Sequence, residues 1–170
     1  KGVTLETGTL SLGDGVIRIR CRVKERAATI KIYLDMSRCV VRVALPKALA
    51  GRVSVRCVPA WHYIGEQLAK RGFEPPRRFR GSTGTGWVQP LPVDPAIAVA
   101  HRTDGNSIWI AVARRDGSDT TAAAVRDCLQ RAITRGTADL IRCNERWWRD
   151  YWKQVPEVAV PDERLQLAIA

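Results

Sequence analysis

The 170-residue sequence has two histidines, one methionine and six lysines, and each scarcity narrows what the chain can be. With only His62 and His101, and with cysteines at 21, 39, 57, 128 and 143 that form no CxxC pair, the chain lacks any Cys/His cluster of zinc spacing. No metal site and no cofactor is expected from these residues. No apolar run reaches the roughly 18 residues that a membrane span requires. No basic-then-apolar signal segment opens the sequence, which starts at Lys1 and holds its single methionine at position 36. It therefore reads as a piece of something longer.

Lysine supplies only six of the 28 basic residues, so arginine carries most of the net charge of +11. Such a balance favours acidic partners, among them nucleic acid and anionic polymers, or it marks a solvated face. The cysteine count is odd. Cys21 and Cys57 fall on inward phases of alternating runs, where a thiol behaves as a small hydrophobe. Free thiols favour a reducing, cytoplasmic compartment, with a single disulfide left open.

What is present, at 45% hydrophobic residues, is the material of one globular domain. The stretch "TLSLGDGVIRIRCRV" sets a Gly-Asp-Gly turn between two alternating runs, the signal of a β-hairpin. In its second arm Ile17, Ile19, Cys21 and Val23 share one face, and Arg18, Arg20, Arg22 and Lys24 the other. "ATIKIYLD", "VVRVAL" and "RVSVRCV" repeat that alternation. Residues 61–86 read as loop, with prolines, glycines and a basic cluster. Strands resume with "GWVQPL", "AIAVAH" and "SIWIAVA". One apolar face per strand implies a sheet covered on one side, for which an antiparallel β-sandwich is the usual solution.

The period then changes from 2 to 3.6. Ser118 or Asp119 is placed to cap a helix over about 120–135, with Ala122, Val125, Leu129, Ala132 and Ile133 on one face and Gly136 after its end. A second helix runs from Thr137 to about 153. Pro156 and Pro161 bracket a short extended stretch, and Asp162 opens a third helix that breaks off after about two turns, too few for stability alone. The domains expected are a β-domain over 1–117, linker helices over 118–154, and the start of a further unit over 155–170.

Catalytic arrangements are hard to find. "GDG", "GSTGTG" and "RRDGSD" lack the GxGxxG or GxxxxGK[ST] spacing, and "GSTGTG" reads as a hairpin tip. There is no GxSxG elbow and no HExxH. Glu145 and Asp150 point to different faces of their helix, Asp162 and Glu163 sit in a first helical turn, and Asp14, Asp104 and Asp116 are turn residues, so no acid/base pair emerges. Trp61, His62 and Trp87 are the candidate contacts for a sugar, since sugars stack on aromatic rings; His101 reads as a turn or hydrogen-bonding residue. Nucleic-acid binding through Arg18, Arg20 and Arg22 is disfavoured, because no aromatic interleaves with them on that face.

The most concentrated feature is "RWWRDYWKQ". Trp147 and Tyr151, and Trp148 and Trp152, are i,i+4 neighbours on a wide aromatic helix face. One part of it is expected to pack on the chain's own sheet and the other to be left for something else.

The segment "WWRDYWKQVPEVAVPDERLQ" resembles the junction in bacterial glycosidases with an (α/α)6 barrel, where a Trp-rich helix is followed by a short linker and the first barrel helix. Upstream, residues 86–140 are similar to the last strands and following helix of the N-terminal β-sandwich of such six-hairpin enzymes, family 95 fucosidase-like and trehalase-like glycoside hydrolases among them. The chain departs from them at or beside Asn144, where they usually carry histidine. The resemblance implies a galactose-mutarotase-like (supersandwich) β-domain that is itself non-catalytic. It implies Trp147, Trp148, Tyr151 and Trp152 as interdomain packing, the chain's own C-terminal (α/α)6 domain as partner, and a carbohydrate as substrate. The general acid and base of such enzymes lie in the barrel.

Overall fold

A computed structural model describes residues 2–155. Eight strands form one antiparallel sheet in the order β1-β2-β3-β4-β8-β7-β6-β5. The first four, β1 (Val3–Ser11), β2 (Val16–Val23), β3 (Arg26–Asp35) and β4 (Val40–Ala44), make one meander; β5 (Arg77–Gly81), β6 (Gly84–Gln89), β7 (Ala96–Asp104) and β8 (Ser107–Arg115) make a second. The two meet only along β4 and β8, in the register Val40↔Ala111 to Ala44↔Ser107. The mainly β class with C-terminal helices holds. Among the described residues, however, the cover of the sheet is a helix and a coiled segment, where a second sheet was expected.

The helix, α2 (Ser118–Gln154), is the pair of helices anticipated from the sequence, separated at Gly136, whose φ of 79° and ψ of −179° break the helical run. Its cap differs from expectation. Gly117 occupies the N-cap without a side-chain bond, and the one hydroxyl proton of Thr121 has the Gly117 and Arg115 carbonyls as acceptors at 2.6 and 2.8 Å. The first half of α2 lays Val125, Leu129 and Ala132 on Val88, Ala98, Ala100, Trp109 and Ala111, the larger of two buried clusters.

The opposite face of the sheet holds the second cluster, Cys21, Val23, Leu45, Leu49 and Ile108. Its cover is the connection from β4 to β5, which must travel from the middle of the sheet to its far edge. This connection contains a short 3-10 turn (Lys47–Leu49), then residues 52–58, then α1 (Trp61–Ala69). Two expectations are corrected here. "RVSVRCV" keeps its alternation, with Val53 and Val55 packed on the second cluster, but it forms no ladder, because both edges of the central strands are already occupied. Residues 61–69 are helical, and "RRFRG" is an edge strand, where the basic composition suggested loop. "GSTGTG" does contain the turn that joins β5 to β6.

The cover stops short of β1. Along its edge and into β2 and β3, Val3, Leu5, Leu10, Ile17 and Leu34 are exposed. The pairings Leu5↔Cys21, Leu10↔Ile17 and Ile17↔Ile32 place them on the same side of the sheet as the second cluster.

Deleting packed and unpacked leucines should therefore have unequal effects. Leu129→Ala is expected to cost about 2–5 kcal/mol in urea unfolding, whereas Leu5→Ala on the bare face should change stability by no more than about 0.5 kcal/mol. Similar losses for both would contradict this division of the core.

Candidate functional site

Beyond Gly136, α2 still buries Leu140 in the larger cluster and then runs across the turns at one end of the first meander. Two turns meet it there. In the β3–β4 turn the buried Asp35 carboxylate accepts from Ser37 Oγ at 2.7 Å and from the Ser37 and Arg38 amides at 3.1 and 3.2 Å, and it pairs with the Arg38 guanidinium. Arg38 Nη1 donates onward to Asp139 on α2 at 2.7 Å. The helix is thus fastened to the turn by a carboxylate at each end of one guanidinium, the geometry arginine's fork favours.

The β1–β2 turn meets the aromatic part of the helix. Gly15, at φ 62°, lies directly against the Trp148 indole, so any side chain there would collide with the ring. Gly15 is accordingly required twice, for its left-handed backbone and for its missing Cβ. Asn144, buried, donates to the Asp14 carbonyl, and Trp152 Nε1 donates to the Leu12 carbonyl. The Gly-Asp-Gly turn read from the sequence is the seat of the tryptophan helix.

The aromatic face divides as expected from the i,i+4 spacing. Trp148 and Trp152 stack at 6.1 Å and 27° and face the turn. Trp147 and Tyr151 stack more closely, at 5.2 Å and 10°, and line an outward cleft of about 360 Å³ with Ser37, Cys143 and Asp150. Edge-to-face contacts tie the two pairs together at 5.0 to 5.7 Å. Tyr151 and Trp152 are both exposed, at 42% and 38%, and Trp147 and Trp148 are half-buried. The outer pair forms the aromatic part of this cleft and is braced edge-on by the inner pair.

The candidate sugar contacts fall in two places. Trp61 and His62 lie on α1 beside a shallow groove; Trp61 folds back over Gly65, and His62 stands edge-on to Tyr63 at 5.0 Å. Trp87 lies on β6, in a separate recess on the non-helix face of β5–β7, and donates from Nε1 to the Cys57 carbonyl at 3.2 Å. The structure does not bring the three together. His101, set aside in the sequence as a turn residue, lies within β7 and lines the Trp87 recess; burial pushes its pKa down. Its place is visible only once Thr85 of β6 is seen to pair with it.

The basic strand face is partly neutralised. Arg18 pairs with Asp14 at 2.6 Å and Arg22 with Glu6, which leaves Arg20 and Lys24 with no acidic partner among the described residues. No group of three or more metal-ligating side chains occurs among the described residues.

No protein-family model matches the sequence, and no curated protein matches it. The fold does match a solved structure described as "Putative kojibiose phosphorylase from human microbiome", with a TM-score of 0.54 and 12% sequence identity. The match covers 86% of this chain and 23% of that one, so the chain spans about a quarter of the protein it resembles.

Arg18, bonded to the Asp14 carboxylate, holds its pKa down to about 2 from the usual 3.8. A carboxylate depressed on folding contributes stability that is present above its unfolded pKa and lost as pH falls through the folded one. Asp139, held low by Arg38, acts in the same direction. The stability advantage of the native chain over Asp14→Asn should therefore be constant above about pH 5 and shrink between pH 4 and 2. Paired urea titrations across that range check it, and an advantage that grows on acidification would refute the pairing.

Proposed function

We propose that this chain is the non-catalytic N-terminal β-domain and linker of a six-hairpin carbohydrate-active enzyme, in which the helical barrel performs glycosyl transfer to water or phosphate. The observation that carries the reading is the divided aromatic face: Trp148 and Trp152 engage the chain's own β1–β2 turn, while Trp147 and Tyr151 present a preformed apolar platform outward. A ring pair held at 5.2 Å, with Tyr151 exposed and Trp147 half-buried, suits a large apolar partner, here the chain's own barrel domain. The coverage of 23% of a far longer carbohydrate-active protein supports the same reading. So does the bare apolar side of β1–β3, which a second sheet of a complete sandwich would cover. The first barrel helix of this proposal, 162–170, lies outside the described residues.

On this reading the catalytic carboxylates belong to the barrel, and the described residues supply support. Trp61 and His62 on one side and Trp87 on another would then touch substrate, if at all, as separate contacts.

Two measurements test the proposal. The 170-residue chain should hydrolyse no aryl glycoside and cleave no disaccharide, with or without phosphate; robust turnover by this chain alone would overturn the assignment. Within the chain, Trp148→Ala should destabilise by about 2 kcal/mol or more, whereas Trp147→Ala and Tyr151→Ala should stay within about 1 kcal/mol. In the full-length protein that order should change, the outer pair lowering the melting temperature as much as Trp148 does.

A further inference from the structure

The recess around Trp87 has a chemistry the supporting role does not use. Its wall is built by cross-strand register: Arg78 pairs with Trp87, Arg80 with Thr85, and Thr85 with His101, so all five side chains rise from the same face of β5–β7. Arg56 enters from the coiled segment whose Cys57 carbonyl fixes the Trp87 indole. The recess holds about 430 Å³, within the range of small-ligand sites, and no acidic side chain lines it.

Its three arginines lie together in a lining without an acidic side chain, although other arginines, Arg20 and Arg26 among them, are also without a carboxylate partner among the described residues. Arg18, Arg22, Arg38, Arg77, Arg114, Arg131 and Arg142 each have a carboxylate partner. Arg56, Arg78 and Arg80 have none among the described residues, although Arg77, beside Arg78 in sequence but on the other face of the strand, does. Arg78 and Arg80 stand two positions apart on one strand face, where like charges repel unless a counter-charge intervenes. Three guanidinium groups, a hydroxyl and an imidazole around an indole fit an oxyanion with several acceptor oxygens. A single carboxylate would leave most of those donors idle.

We propose that this recess binds a phosphate group, free or as the ester of a small ring-bearing molecule, with Arg56, Arg78 and Arg80 gripping its oxygens and Trp87 lying against the ring. A recess of this volume suits a small ligand better than a nucleic-acid backbone, which would need a continuous basic track. The site is separate from the Trp147–Tyr151 platform and does not depend on the role proposed for it.

The protein should be titrated calorimetrically with inorganic phosphate, glucose 6-phosphate and glucose. Saturable one-to-one binding of a phosphate-bearing probe, with none for glucose, is the expected result. Glucose 6-phosphate binding more tightly than phosphate would identify an ester as the ligand, and equal affinity would identify the free ion; both support the phosphate grip. The double substitution Arg78→Gln/Arg80→Gln, on an exposed edge strand, should weaken binding about tenfold or more. Arg20→Gln/Arg26→Gln, which removes the same charge elsewhere, should leave it within about twofold. Absence of saturable phosphate binding, or equal weakening in the two double variants, would overturn the proposal.

Discussion

The packing of α2 across the seam between β4 and β8 is the contact on which the rest of the molecule depends. Each meander is built of local hairpins, but the two halves share a single strand pair of five registered positions. Hydrogen bonds along one pair contribute little net stability, because the same groups bond water in the unfolded chain. The helix places Val125 and Leu129, both fully buried, over residues from both sides of the seam: Val40 from the first meander, and Ala98, Ala100, Trp109 and Ala111 from the second. Apolar burial is thus concentrated where the hydrogen-bonded join is narrowest. The facing strands carry alanines, which let a helix approach a twisted sheet closely.

The same helix then serves a second purpose because it is broken. A continuous helix of 37 residues would leave the sheet in a straight line; the backbone at Gly136 ends one run and begins another. Past that point Leu140 still joins the apolar cluster, and specific polar and aromatic contacts are added, with Arg38 bridging Asp35 and Asp139, Asn144 on the Asp14 carbonyl, and Trp148 on Gly15. Such contacts define position more sharply than apolar burial does, since each has one satisfactory geometry.

How much of this was legible in the sequence follows from which interactions are local. Strand periodicity gave β2, β3, β4, β7 and β8, and the glycine at 136 gave the break between helices, because these patterns are written in adjacent residues. "RVSVRCV" misled because alternation reports that one face is buried, and burial against a sheet face produces the same pattern as pairing along a sheet edge. "RRFRG" was invisible as a strand because an edge strand needs no apolar row; its single inward residue is Phe79, half-buried over Gly86. The recess at Trp87 could not be read at all, since Arg56, Arg78, Trp87 and His101 are collected by register across three strands and a crossing segment. The aromatic division was legible, because i,i+4 spacing within one helix fixes which ring meets which.

On the proposed reading, these two kinds of placement bear on how the chain would be coupled to a partner domain. The outer rings Trp147 and Tyr151 hold their shape because Trp148 and Trp152 are anchored to the β1–β2 turn, and that turn holds its shape through Asp14, Arg18 and Gly15. A partner resting on the outer pair would therefore be positioned by the sheet through three short steps: ring to ring, ring to turn, turn to strand. Each step is a packed or bonded contact with one arrangement, so displacement of the turn would move the platform as a unit. The Trp87 recess has no such link. It lies at the far edge of the second meander, on the opposite face from α2. A ligand there would act first on the second meander and on the 52–58 segment, and it could reach the first meander through the β4–β8 seam or through Val53 and Val55 on the second cluster.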